Sequence, residues 1–428
     1  MWKNVRSRAS AAASGRWAGL AGEIVPVSIR RRTGMLTGSY AWHAARMRAP
    51  TPQMAKIPFI RPNLVRFEAY RGYLEAMDER RLYANFGPLN SLLEQRILAE
   101  HFRSVGAVST VNNATTGLML AMKLAARRGA RYAVMPSFTF AATPLAAVWA
   151  GLEPYFVDVR LDDFAMSEPA LGQALRVLGD DVAVVVPYAT FGSPIELEPY
   201  ERLIEDGIPV VVDAAASFGA RRGGIAFGSA FPGFVVYSFH ATKAFGIGEG
   251  GLVYSADGGS IGELREMANF GFGPDRISRA PGLNAKLPEV SAAIGLALLD
   301  EFPARMRRRQ QLYQWYCDEL ASHDLPNQGW QKQACPGEVA HQFFALLCPP
   351  STSNAAIVRY MAGAEIELRT YFSPTCHEQP AFASFQRGPL ANTERLSQRA
   401  LSLPLWEELT REQVATVVTQ LACALSHA

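Results

Sequence analysis

Three stretches of this 428-residue chain pair reactive side chains with backbone features that would activate them. The first is Ser238-Phe239-His240-Ala241-Thr242-Lys243, followed by Gly246-Ile247-Gly248-Glu249-Gly250-Gly251. A lysine between an apolar run and a glycine-rich turn is partly desolvated. Desolvation lowers its pKa and favours the free amine that attacks an aldehyde. Ser238 and Thr242 add hydroxyls that can donate to a phosphate. Alone, the stretch reads rather as a surface lysine on a tight hairpin loop. The second feature is Asp213, thirty residues earlier, at the end of the apolar run Val210-Val211-Val212. An acid there is either a paired buried group or a ligand-binding one. The third is Asn112-Asn113-Ala114-Thr115-Thr116-Gly117, opening onto a helical pattern. Free N–H groups and the helix dipole make such a start an anion site, although a plain Asn or Thr cap would also account for it.

Together the three meet one chemical demand. Pyridoxal 5'-phosphate needs a lysine for its aldehyde, a carboxylate for its ring nitrogen and a helix N-terminus for its phosphate. The carboxylate holds the ring nitrogen protonated, and the lysine, once released, moves a substrate proton as general acid and base. No metal site is expected. The five cysteines (Cys317, Cys335, Cys348, Cys376, Cys423) are odd in number and never in CxxC spacing, which fits a reducing compartment, the cytoplasm.

The elements that must hold these groups follow an alternating pattern. Apolar, β-branched runs at 107–111, 133–136, 154–157, 182–187, 209–213, 234–239 and 251–254 read as strands, several of them apolar throughout, as strands buried on both faces are. Helical stretches at 117–126 and 167–178 lie between them, so the chain is α/β with a mostly parallel sheet. In such sheets ligands sit at the carboxyl ends of strands, where all three features fall. Residues 289–320 read as one long helix or two, and the run Arg305, Arg307, Arg308 and Arg309 reads as a solvated helix face. Strands at 343–348 and 365–371 and a helix at 411–424 suggest a smaller α+β domain. The expected division is an N-terminal extension over 1–53, a large domain over 54–300 and a small domain over 301–428.

The composition, 49% hydrophobic and 19% charged, is that of a soluble globular protein. The formal charge of +3 misleads, because residues 1–50 carry nine Lys/Arg and one acid, leaving a balance of −5 in the remainder. Nucleic acid is therefore not an expected partner, since the body lacks a basic footprint. Nor is a membrane, since no apolar run approaches the ~20 residues needed to span one. The basic extension reads as a disordered tail or as upstream sequence from too early a start, with Met35, Met47 and Met54 as later candidates.

With these motifs in place, the chain resembles the DegT/StrS-type family of pyridoxal-phosphate sugar aminotransferases from about Ile57 to its C-terminus. PSFTFAAT (136–143), PYFVDV (154–159), VVVDAAASFGA (210–220), SFHATK with GEGG (238–251), GLNAKLPEVSAAIGLALL (282–299) and LSLPLW (401–406) occur in the family's order. So do Tyr371, Pro374 and His377. The resemblance implies the aspartate aminotransferase fold (fold type I): a three-layer α/β/α large domain plus a smaller C-terminal α+β domain. It implies Lys243 as the Schiff-base lysine, Asp213 as the ring-nitrogen partner, Phe140 stacked on the ring, and Ala114, Thr115 and Ser238 at the phosphate. Asn284 would reach the cofactor phosphate of a neighbouring subunit, which implies a homodimer with composite sites. Tyr371 and His377 fall near the expected substrate region.

The chain departs from the family's pattern at Ala189, Ala216 and Ala244, where polar residues are usual, and at Asn284-Ala285-Lys286, where Asn-Tyr-Arg is common. The related dehydratase branch carries His in place of the lysine, so Lys243 points to amino transfer. The leading expectation is transfer from L-glutamate to a keto sugar on a nucleoside diphosphate, for polysaccharide or natural-product biosynthesis. Two alternatives are a non-catalytic member that binds cofactor or nucleotide sugar, and an aminotransferase for a cyclitol or another ketone.

Overall fold

The apolar runs become strands at nearly the expected bounds. The computed structural model describes residues 55–425, and the extension expected over 1–53 lies outside them. Seven strands matter for the site: β1 (Ala107–Val111), β2 (Tyr132–Pro136), β3 (Glu153–Val157), β4 (Val182–Val185), β5 (Val211–Asp213), β6 (Phe234–Ser238) and β7 (Gly251–Ser255). β3, β2 and β4 are parallel neighbours, and β5 runs parallel to β6. Parallel bridges Val185–Val210 and Tyr188–Asp213 join β4 to β5. β7 lies antiparallel between β6 and β1. The order is thus β3-β2-β4-β5-β6-β7-β1, with β7 alone reversed.

Both faces of this sheet are covered, which is why its strands lack polar alternation. Tyr132, Val134, Val212, Val235, Leu252 and Tyr254 point into one core. Their sequence neighbours Ala133, Met135, Val211, Val236 and Val253 point into another. The first is closed by helices α2 (Pro88–Glu100), α5 (Glu168–Leu178) and α6 (Glu198–Glu205), the second by α3 (Ala114–Ala125), α4 (Ala142–Trp149) and α7 (Gly258–Met267). The result is the three-layer α/β/α arrangement. Each fully buried side chain such as Val134 or Met135 contributes about 1.5–3 kcal/mol relative to exposure. A further helix, α1 (Phe67–Arg80), buries none of its residues.

The C-terminal part is a three-stranded antiparallel sheet of Gln331–Lys332, β8 (Phe344–Leu347) and β9 (Ala400–Leu403), packed with α9 (Asn354–Gly363) and α10 (Arg411–Leu425). The long helix is single: α8 runs from Glu289 to Ser322 through Pro303. Its first half supplies Ala292–Phe302 to the core under the main sheet, and its second half supplies Leu312, Tyr316 and Leu320 to the C-terminal core. The division expected near residue 300 therefore falls inside one helix, and Ile57, counted with the large domain, packs in the C-terminal core.

Two expectations are corrected. Residues 365–371 form no strand: Ile366 and Leu368 alternate inward, but the segment makes only single bridges, Ile57–Ile366 and Arg369–Ser402. The alternation is that of a strand; the ladder is missing because its neighbours touch it at one residue each. The arginine run is not a solvated face either. Arg307 is exposed, but Arg309 is buried and Arg305 nearly so, both against Glu407. Among the described residues no helix is long and apolar enough to cross a membrane.

Candidate active site

At the carboxyl ends of β1, β5 and β6 lies a cavity of about 630 Å³. Its polar wall carries Thr115, Asp213, Ser238, His240, Thr242 and Lys243, so the three motifs of the sequence converge on one space. Ala114 and Phe140 also line it.

The anion end is built by the start of α3. Asn113 is its N-cap, and its Oδ1 accepts from the Thr116 amide at 2.9 Å, while Gly117 N–H bonds to Asn113 O. That leaves the amides of Ala114 and Thr115, at the first helical positions, without an intrahelical acceptor. The Ser238 hydroxyl accepts from His240 N–H at 3.3 Å and keeps its own proton to donate. His240 Nδ1 accepts from the Thr242 amide at 3.3 Å, and its Nε2 lies 3.7 Å from Glu249 Oε1. The approach is close enough to require glycine: a Cβ on Gly251 would stand 2.8 Å from Ala114 N and 3.0 Å from Tyr237 O.

At the other end Asp213 is buried at the tip of β5. Its Oδ2 accepts from Thr143 Oγ1 at 2.6 Å and its Oδ1 from the Ala215 amide at 3.1 Å. Burial pushes its pKa above the usual carboxylate range, while Thr143, the Ala215 amide and the charge of Lys243 pull it back. Burial pulls Lys243 down to about 8, opposed by Asp213. Lys243 Nζ donates to Gln342 Oε1 at 3.0 Å. Phe140 is 58% exposed although it lines a cavity, so one aromatic face is open.

These residues fit pyridoxal 5'-phosphate. Free amides and hydroxyls suit its phosphate, the open face of Phe140 suits its ring, and the lysine amine suits its aldehyde. The incompletely compensated carboxylate of Asp213 suits a protonated ring nitrogen.

A second wall is aromatic and largely apolar, with Ile60, Tyr188, Phe191, Phe343, Tyr371 and Phe372, and it adjoins the first where Tyr188 pairs with Asp213. Phe191 and Phe372 lie 5.4 Å apart between centroids, Phe191 and Phe343 4.8 Å, and Tyr188 and Phe372 6.1 Å.

Of the sequence-derived residues, Tyr371 lines the cavity; His377 and Asn284 do not. His377 is buried beneath it, with Nδ1 2.7 Å from Ser137 Oγ and 3.1 Å from Thr375 Oγ1. Asn284 is exposed, in a bridge to Asn269. The departures from the family pattern also lie off the cavity. Ala189, Ala216, Ala244 and Ala285 are buried and absent from its lining, and Lys286 bonds to Asn269 Oδ1 at 2.8 Å. Sequence reasoning missed Thr143, Gln342 and most of the aromatic wall. Thr143 closes the PSFTFAAT motif, and Tyr188 and Phe191 flank Ala189, so those had a signal; Gln342 had none.

The model of the DegT/DnrJ/EryC1/StrS aminotransferase family matches residues 68–422. The chain belongs to that family. It is a pyridoxal-phosphate-dependent aminotransferase, and its fold agrees with solved members. A crystal structure of a putative PLP-dependent aminotransferase from Bacillus cereus superposes with TM-score 0.84 at 45% identity, covering 85% of this chain and 99% of that one. DesI, solved in the presence of its TDP-sugar product, superposes with TM-score 0.78 at 30% identity, covering 89% and 96%. Protein Rv3402c of Mycobacterium tuberculosis is 31% identical over 376 residues, covering 85% of this aminotransferase and 89% of its own length.

Proposed function

We propose that this aminotransferase moves an amino group from L-glutamate onto a keto (deoxy)sugar attached to a nucleoside diphosphate, in cytoplasmic biosynthesis of a polysaccharide or natural product. The observation that carries the reading is Lys243 facing the buried carboxylate of Asp213 in a cavity with a helix N-terminus at its far end. DesI, with its TDP-sugar product, supports the substrate class.

In this reading Lys243, Asp213, Ser238 and the amides of Ala114 and Thr115 hold the cofactor, which when bound supplies the electron sink for breaking the bond to hydrogen at the amino-bearing carbon. Lys243 Nζ takes that proton and returns it, a role suited to an amine titrating near 8. Asp213, fixed by Thr143 and the Ala215 amide, would keep the cofactor's ring nitrogen protonated. The aromatic wall excludes water and receives the sugar, with Tyr371 as the hydroxyl nearest to it in role. The exposure of Asn284, outside its own subunit's cavity, supports its reaching the site of a second copy in a homodimer.

The buried, off-cavity positions of Ala189, Ala216 and Ala244 weaken the case for a non-catalytic member, because those replacements leave the cavity's polar wall in place. The test is purified protein incubated with cofactor, glutamate and a panel of nucleoside-diphosphate keto sugars. Amino sugar formed in proportion to 2-oxoglutarate supports the reading. Exchange with glutamate but with no sugar of the panel would sink the substrate assignment.

A further inference from the structure

Lys243 must do two things: hold the cofactor covalently, then, once free, carry a proton between fixed atoms. A free lysine side chain with four rotatable bonds does the second poorly unless something restrains its amine. Among its hydrogen bonds in this structure is one to Gln342 Oε1 at 3.0 Å, from a segment 99 residues further along the chain. We propose that Gln342 is a positioning residue that holds the freed Lys243 amine in line for proton transfer, and that it is itself held from behind by the buried Arg309–Glu407 pair. The inference rests on the role of Lys243 in the proposed function.

Three observations carry it. First, the orientation of the Gln342 amide is determined. Its Nε2 donates to Thr242 Oγ1 at 3.3 Å, so its carbonyl oxygen faces the lysine; the flipped amide would set its N–H donors against the lysine's ammonium form. Second, Gln342 is neutral. The other titratable groups lining the cavity are Asp213, His240, Glu249, Tyr188 and Tyr371, and Arg61, Arg305 and Arg309 line a narrow crevice that Lys243 and Gln342 also line. A neutral acceptor binds the amine in either protonation state, which a shuttling base requires.

Third, the backbone at Gln342 is immobilised. Arg309, buried in α8, donates from Nη1 to His341 O at 2.6 Å and from Nε to Glu407 Oε1 at 2.8 Å. The His341 ring stacks on Tyr313 with centroids 3.9 Å apart and planes 8° from parallel. β8 follows directly and pairs with β9. A buried guanidinium is costly to hold and is retained here with both a carboxylate and a carbonyl as partners. The arginine that read from sequence as a solvated charge instead braces the residue that touches the reactive lysine.

The test uses Gln342→Leu, which removes the acceptor at similar volume, and Gln342→Glu, which sets an anion against the amine. In cofactor-free protein, trace acetylation of Lys243 followed by mass spectrometry across pH reports the amine directly. The wild-type midpoint should lie near 8, and Gln342→Glu should move it upward by about one pH unit or more. In the loaded enzyme, Gln342→Leu should slow single-turnover exchange with the amino acid by about tenfold or more, with cofactor affinity unchanged. Thermal melts of both variants matching wild type establish that each folds. A folded Gln342→Leu variant with an unchanged single-turnover rate would overturn the proposal whatever the Gln342→Glu midpoint, and an unshifted Gln342→Glu midpoint would overturn the contact itself. Neither readout involves a sugar, so failure of the sugar assignment leaves this result distinct.

Discussion

The two walls of the cavity are made differently. The polar wall is assembled from strand ends, the loop after β6 and one helix start, and its groups are oriented by hydrogen bonds to backbone and to neighbouring side chains, as Asp213 is by the Ala215 amide and Thr143 and Lys243 is by Gln342. The aromatic wall comes from loops far apart in the chain, around residues 60, 188–191, 343 and 371–372, and its side chains orient one another by packing. One wall is chemistry carried on a scaffold; the other is a piece of core that happens to face a space. Substitutions should therefore separate: on the polar wall they cost rate, and on the aromatic wall they cost stability and selectivity.

The largest contrast comes from Lys243→Ala, which should abolish turnover and the absorbance of lysine-bound cofactor while leaving the melting temperature near wild type. Asp213→Asn comes next. It should lower the rate by about two to four orders of magnitude, measured as kcat/KM for the amino donor. The neutral isostere keeps an acceptor for the Ala215 amide, and the Thr143 hydroxyl can turn toward Thr139 Oγ1, so the loss of stability should be small beside the loss of rate. If it unfolds the protein, the division between the walls is wrong.

On the other side, Phe372→Ala should destabilise by about 3–5 kcal/mol in denaturant titration, since Phe372 is buried and touches Phe138, Tyr188 and Phe191. Unchanged stability there would mean that the aromatic wall is not core. The smallest effect belongs to Phe140→Ala. This exposed ring should weaken cofactor binding about fivefold, the worth of one stacking contact, with no measurable change in the melting temperature.

The same contrast explains what could be read from the sequence. Strands covered on both faces announce themselves as apolar runs, and groups at their ends fall within a few residues of those runs; Lys243, Asp213 and Thr115 were legible for that reason. The seven-strand sheet and its helical layers followed from the same alternation. Tyr188, Phe191, Phe343 and Phe372 look in sequence like any core aromatic, and only tertiary packing decides which faces a cavity. Gln342 is a polar residue before a strand, and nothing local marks it as the neighbour of a lysine 99 positions away. Arg309 was misread because charge on a helix is usually solvated; its partner Glu407 lies 98 residues on. The alanines at the family's polar positions drew attention to themselves, yet they sit behind the wall rather than in it.

Helix α8 has one more consequence. Its 34 residues extend about 50 Å at 1.5 Å per residue, and its two halves are shared between separate cores. Each N–H of the helix reaches back only four residues, so what joins the two cores is the continuous helix backbone through Pro303. The boundary between the two parts of the chain thus runs through a rigid helix rather than a linker, and the spacing of the two cores is fixed by that helix.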